Sequence, residues 1–221
     1  MLSAVHPLHA TLLPALAPCP NFQGVCRSCK WCPKNGYIPR GFGGGYGTLD
    51  QIWLVIVTAE PGDPGSGESY SGTAEEMLNA HLYLFKKFIQ TDALARNGRK
   101  APFHRNLRSI LDLCWPGMSL DRQLASTWIT NAVLCSAKKS GGTVSRKIEN
   151  ACVSTYLKRQ LQLLPNAYVL ALGGKARERL KRGDVNVHGC AQHPSARQNT
   201  SPTQSWEKAA KDFREWLATR A

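Results

Sequence analysis

Short apolar runs and amphipathic stretches take turns along this chain. Residues 51–58 are largely apolar and carry β-branched Ile52, Val55, Ile56 and Val57, which predicts a strand covered on both faces. The run ends in Glu60-Pro61-Gly62-Asp63-Pro64-Gly65, a loop sequence. Thr73, with Glu76 three residues later, reads as an N-cap and its capping box, so a helix follows to about Gln90. A polar stretch over 91–102 leads to a second helix near 105–113. Residues 127–134 form a second buried strand, followed by a basic, Gly-bearing loop over 136–145. Between 147 and 163 the period is helical: Ile148, Cys152, Tyr156 or Leu157, Leu161 and Leu164 share one face until Pro165 stops the helix. Residues 168–172 give a third strand, Gly173-Gly174 turns into a helix over 175–180, 185–188 a short fourth strand and 205–219 a closing helix.

Strands alternating with helices imply parallel pairing through right-handed crossovers. The expected fold is α/β, a three-layer α/β/α arrangement around a central four-stranded parallel sheet. Residues 19–48, rich in Cys, Gly and Pro, read as irregular. The first eighteen residues are apolar and Pro-rich and read as a flexible leader to a single domain over 19–221. A cleaved signal is disfavoured, since no Lys or Arg precedes the apolar run and Pro7 and Pro14 interrupt it. No internal repeat is visible.

Composition adds a partner. The 221 residues carry 28 Lys plus Arg against 15 Asp plus Glu, a net charge of +13. The excess is uneven: residues 101–221 hold 19 basic and 8 acidic side chains, residues 1–100 only 9 and 7. Such a bias favours a polyanion, nucleic acid first. No apolar run reaches the roughly eighteen residues a membrane-spanning helix needs, and a cytoplasmic monomer is expected. A chain of this length can bury a core without disulfides, so the eight cysteines ask for another explanation. Cys26, Cys29 and Cys32, three apart, suit a metal or a cluster.

In parallel sheets ligands sit at the carboxyl ends of the strands. That places the chemistry at 59–65, 135–142, 173–175 and 189–196. Two phosphate-loop candidates fail on context: the Gly-rich run from Gly41 to Gly47 precedes a strand, and Gly173-Gly174-Lys175 lacks the spaced first Gly and the following Ser or Thr. Glu60, held by Pro61 at a strand end, can orient a water, although a loop Glu is more often solvated surface. Asn131, inside the second strand, offers one donor and one acceptor to a base edge, or satisfies itself on neighbouring backbone. His193 precedes Pro194-Ser195 in the last loop.

In this order, the motifs resemble the uracil-DNA glycosylase superfamily, closest to its iron–sulfur family 4 type but divergent. Val57-Thr58-Ala59-Glu60-Pro61-Gly62 is similar to that family's first catalytic loop. Trp128-Ile129-Thr130-Asn131-Ala132-Val133-Leu134-Cys135 resembles its strand ending in Cys, Leu163-Leu164-Pro165 through Gly173 its next strand and turn, and His193-Pro194-Ser195 its second catalytic motif. The resemblance implies hydrolysis of the N-glycosidic bond of uracil in DNA, in base excision repair, by base flipping. Glu60 and His193 would be catalytic. Ala59, Tyr70, Asn131, Ser195 and Arg197 would contact substrate, with Tyr70 or Phe103 stacking on the base. A four-iron four-sulfur cluster would be held by Cys26, Cys29, Cys135 and Cys152, with Cys32 a competing ligand. A zinc knuckle of Cys19, Cys26, Cys29 and Cys32 is the rival. Family 4 has its Glu one position earlier, where this chain has Ala59. That departure motivates an alternative: a non-catalytic protein of the same fold that holds uracil or abasic DNA.

Overall fold

A computed structural model describes residues 5–91, 102–139, 141–195 and 202–220. Its centre is a five-stranded sheet in the order β1-β3-β2-β4-β5. β2 (Leu54–Thr58), β3 (Thr127–Asn131) and β4 (Tyr168–Leu172) are buried along their whole length. β2 pairs in parallel with both β3 and β4, and β5 (Gly189–Ala191) pairs in parallel with β4.

Side-chain alternation splits the core in two. Val55, Val57, Trp128, Val169 and Ala171 face one apolar cluster, and Leu54, Ile56, Ile129, Leu170 and Leu172 face the other. Strands buried at every position, with side chains alternating between faces, therefore separate two helical layers. Ile148 of α6 (Arg146–Cys152) and Ala176 and Leu180 of α8 (Gly174–Arg182) cover the first face. α4 (Pro102–Cys114), α5 (Leu120–Ala125) and α9 (Pro202–Ala218) cover the second. α3 (Ala74–Gln90) begins at the predicted capping box on Thr73 and Glu76 and reaches both clusters.

Four expectations need correction. The sheet has a fifth strand: β1 (Gly43–Gly44) pairs antiparallel with β3, and two glycines carry no periodicity that would announce it. The fourth parallel strand lies at 189–191 rather than 185–188; as a partly exposed edge strand it needs no β-branched run. The helix over 147–163 is interrupted, α6 and α7 (Lys158–Gln162) being joined by a π-helical turn, Val153–Leu157. Finally, the first eighteen residues are no loose leader where they are described. α1 (Pro7–Ala10) and α2 (Leu13–Leu16) are short helices, and Leu8, Leu12 and Leu16 are fully buried in the cluster with Val55 and Trp128. The prolines that seemed to break the run instead occupy the first turns of the two helices, where a missing N–H does no harm.

Leu12→Ala is therefore expected to destabilise the protein by roughly 2–5 kcal/mol in urea unfolding. An unchanged midpoint would mean that this segment lies outside the core.

Candidate active site

The site begins at the last rung of the β2–β3 ladder, where Thr58 and Asn131 are partners in register. The Thr58 hydroxyl donates to Asn131 Oδ1. Asn131 Nδ2 donates to the carbonyls of Arg40 (3.0 Å) and Gly41 (3.2 Å). Two carbonyls facing the same amide nitrogen fix its orientation, since the flipped amide would set oxygen against oxygen. These bonds use both N–H groups and one lone pair, leaving one lone pair of Oδ1. Gly41 has φ 77°, and a Cβ there would overlap Asn131 Nδ2, so only glycine lets the chain pass this close.

Glu60 lies two residues beyond β2, and its side chain is only 7% exposed. A buried carboxylate needs partners. Arg179 of α8 donates through Nη1 to Glu60 Oε2, and Lys175 Nζ lies 3.4 Å from Oε1. Arg179 Nε donates to Glu149 Oε1 at 2.8 Å, and Arg182 Nη2 to Glu149 Oε2 at 2.6 Å. Lys175 also donates to the carbonyls of Gly141 (2.9 Å) and Gly142 (3.0 Å).

His193 stands in the loop after β5. This loop is tied down from two sides: Asn106 of α4 donates to Pro194 O at 2.6 Å, and Trp206 of α9 donates to Gln192 O at 2.9 Å. The backbone N–H of Ser195 donates to His193 Nδ1 at 3.1 Å. An accepting Nδ1 puts the proton of the neutral ring on Nε2. Burial and, secondarily, the nearby Lys175 lower the His193 pKa, while Glu60 opposes them, so the ring is neutral at pH 7. Gly173 makes room for it: a Cβ on Gly173 would sit 3.0 Å from that of His193.

One cavity of about 520 Å³ takes in Ala59, Glu60, Asn131, His193, Ser195 and Phe103. Its size is that of a small-molecule site. Tyr70 is not on its wall; it is buried behind it, with its hydroxyl 3.0 Å from Glu68 and 3.1 Å from His81. Besides His193, Phe88, Phe103 and His104 bring rings to the wall, and the Phe103 ring lies 5.6 Å from that of His193. Arg197 lies outside the described residues. Sequence reasoning missed Arg40, Glu68 and His104 on the wall and Arg179 behind it, and gave Lys175 no role toward Glu60. The sequence placed Lys175 at a strand end, in Gly173-Gly174-Lys175, but gave no sign that it or Arg179, four residues on along the same helix, would meet Glu60.

The family model of the uracil-DNA glycosylase superfamily matches residues 45–218. The chain belongs to this superfamily. No curated protein matches it significantly. Membership brings a DNA glycosylase-like function and DNA as partner, and the α/β sheet agrees with the superfamily's fold. Among the described residues no helix is long and apolar enough to cross a membrane.

This superfamily member has a second, smaller cavity of about 10 Å³ lined by Cys19, Cys26, Cys29, Cys135 and Cys152. The thiols come from the N-terminal segment, the residues after β3 and the end of α6, and all five are free. Cys32 is not on this wall; it pairs with Tyr37 in an isolated backbone bridge. Cys19 Sγ lies 3.1 Å from the Tyr156 hydroxyl, and Leu134 N–H donates to Cys152 Sγ at 3.3 Å. Burial pushes Cys135 upward and Cys152 up to about 12, so without a cation these groups are neutral thiols. Among the described residues, no three His, Cys, Asp or Glu side chains are set to hold a single metal ion. Five soft donors from three segments line one apolar void, a donor set of the type that iron–sulfur groups use.

Burial, reinforced by Arg40, lowers two histidines near the cavity, His81 to about 3 and His104 to about 4. Below pH 6.5 the unfolded chain takes up protons that the folded one refuses, so stability falls with pH. The expected slope in urea unfolding grows from roughly 0.7 kcal/mol per pH unit at pH 6.5 toward roughly 1.4 near pH 5 for each histidine. His104→Gln should remove one histidine's share; a flat profile would contradict this.

Proposed function

We propose that the protein is a monofunctional uracil-DNA glycosylase that leaves an abasic site. The observation that carries this reading is the convergence of Glu60, Asn131 and His193, remote in sequence, on one cavity. Exposed Lys138, Lys139, Arg146 and Lys147 flank the loop that reaches this cavity at Gly141 and would meet DNA phosphates.

A base inside a duplex is out of reach, so the nucleotide is flipped into the cavity. Phe103 stacks on the base. Asn131 Oδ1 accepts from uracil N3–H with its remaining lone pair. Cytosine has no proton at N3 and would set lone pair against lone pair, which a buried acceptor discriminates strongly. With both N–H groups of Asn131 on backbone carbonyls, reading is by this single contact rather than a donor–acceptor pair. Bond cleavage leaves negative charge on uracil and positive character on the sugar. His193 donates from Nε2 to O2 of the departing base. Glu60 holds the attacking water and faces the cationic sugar with a negative charge. Ser195, exposed at the rim, grips a neighbouring phosphate.

The same reading assigns the thiol cavity a four-iron four-sulfur cluster on Cys26, Cys29, Cys135 and Cys152, with Cys19 as a fifth thiol in reach. When bound, the cluster would cross-link the N-terminal segment to the residues after β3 and to α6. A zinc knuckle using Cys32 is less well supported, because Cys32 does not line the cavity that takes in the other cysteines named for it or for the cluster.

A uracil-containing oligonucleotide treated with the protein and then alkali should break at the uracil. Glu60→Gln and His193→Ala should each lower turnover about 100-fold or more. Tight binding of uracil-DNA without abasic product would favour the non-catalytic alternative. Protein purified without oxygen should be brown, with roughly four iron atoms per chain. Cys152→Ser should lose that colour and Cys32→Ser keep it; a colourless zinc protein would refute the cluster.

A further inference from the structure

We infer that Arg179 and Lys175 are positioning residues that hold the Glu60 carboxylate, one cation on each oxygen, as a fixed negative charge beneath the sugar. The inference rests on the glycosylase reading and adds a device to it. Arg179 Nη1 takes Oε2 of Glu60, and Lys175 Nζ stands 3.4 Å from Oε1. Each cation is itself anchored. The guanidinium, 2% exposed, reaches Glu149 through Nε at 2.8 Å, and Glu149 is held again by Arg182 at 2.6 Å. The ammonium is seated on the carbonyls of Gly141 and Gly142. Lys175 and Arg179 are four residues apart and present the same face of α8 to the carboxylate.

The geometry sets the plane of the carboxylate. A single contact would leave Glu60 free to rotate about its last torsion; two anchored donors on different oxygens do not. A rigid guanidinium fork suits this task better than a flexible ammonium, and here it bridges two carboxylates from separate elements. Glu60 lines the cavity, so the lone pairs that its two cations leave free are available to order a water and stabilise a cation. A charge already in place when the sugar becomes cationic requires no reorganisation, so the contribution belongs to the transition state. Its removal should appear in kcat rather than KM.

The test compares single-turnover kinetics on a uracil oligonucleotide in two backgrounds. Arg179→Met should lower kcat about 10- to 100-fold with KM changed less than about threefold, and Arg179→Lys should recover part of the loss. In a Glu60→Gln background the same Arg179→Met change should have almost no further effect, because the two residues act as one unit. Arg179→Met strands two buried carboxylates and can cost the fold itself. Lys175→Met provides the second arm: its side chain is 48% exposed, so the fold tolerates it, and kcat should fall about 3- to 10-fold in wild type and not in Glu60→Gln. Equal losses in both backgrounds, or losses confined to KM, would overturn the positioning role while leaving the glycosylase reading intact. A wild-type protein with no glycosylase activity would end both.

Discussion

The site depends on one rung of parallel sheet. Because Thr58 and Asn131 are register partners at the ends of β2 and β3, both chains leave the sheet at the same edge and at the same height. The Thr58 hydroxyl then ties the two strand ends together through Asn131. Everything chemical follows from that edge. Glu60 arrives two residues after Thr58, and Gly173 leaves β4 beside it with room for His193. A one-residue slip between β2 and β3 would exchange the two faces of a strand and move the carboxylate out of the cavity.

The strands with the clearest apolar character were the most legible. Residues 168–172 match β4 at both ends, and the capping box on Thr73 and Glu76 marks the start of α3. What escaped was structure whose signal is not periodicity. β1 is two glycines, chosen for close approach rather than for burial. The N-terminal helices are one turn each, so Pro7 and Pro14 dominated a pattern in which Leu8, Leu12 and Leu16 were the informative residues.

The candidate site divides in the same way. Glu60, Asn131 and His193 stood out because their residue types are chemical and their motifs ordered. Asn131 nonetheless behaves in part as the bland reading expected, since its N–H groups serve the backbone of Arg40 and Gly41. The resemblance offers Tyr70 or Phe103 as the stacking ring; Tyr70 lies behind the wall on Glu68 and His81, and Phe103 lines the cavity. Which ring faces a cavity is settled by tertiary packing, and no spacing rule reports it. The partners of Glu60 were invisible for a related reason. Arg179 is 119 positions away, and an arginine in a basic helix looks the same from the sequence whether it meets water or a buried carboxylate.

The short helix α6 joins two regions that function alone would not connect. Cys152 at its end lines the thiol cavity, and Glu149, one turn earlier, is the far support of the guanidinium that touches Glu60. Seven residues of helix are too stiff to let one move and spare the other. The two cavities therefore share one short rod as a common mechanical support, so a packing change beneath α6 bears on both at once.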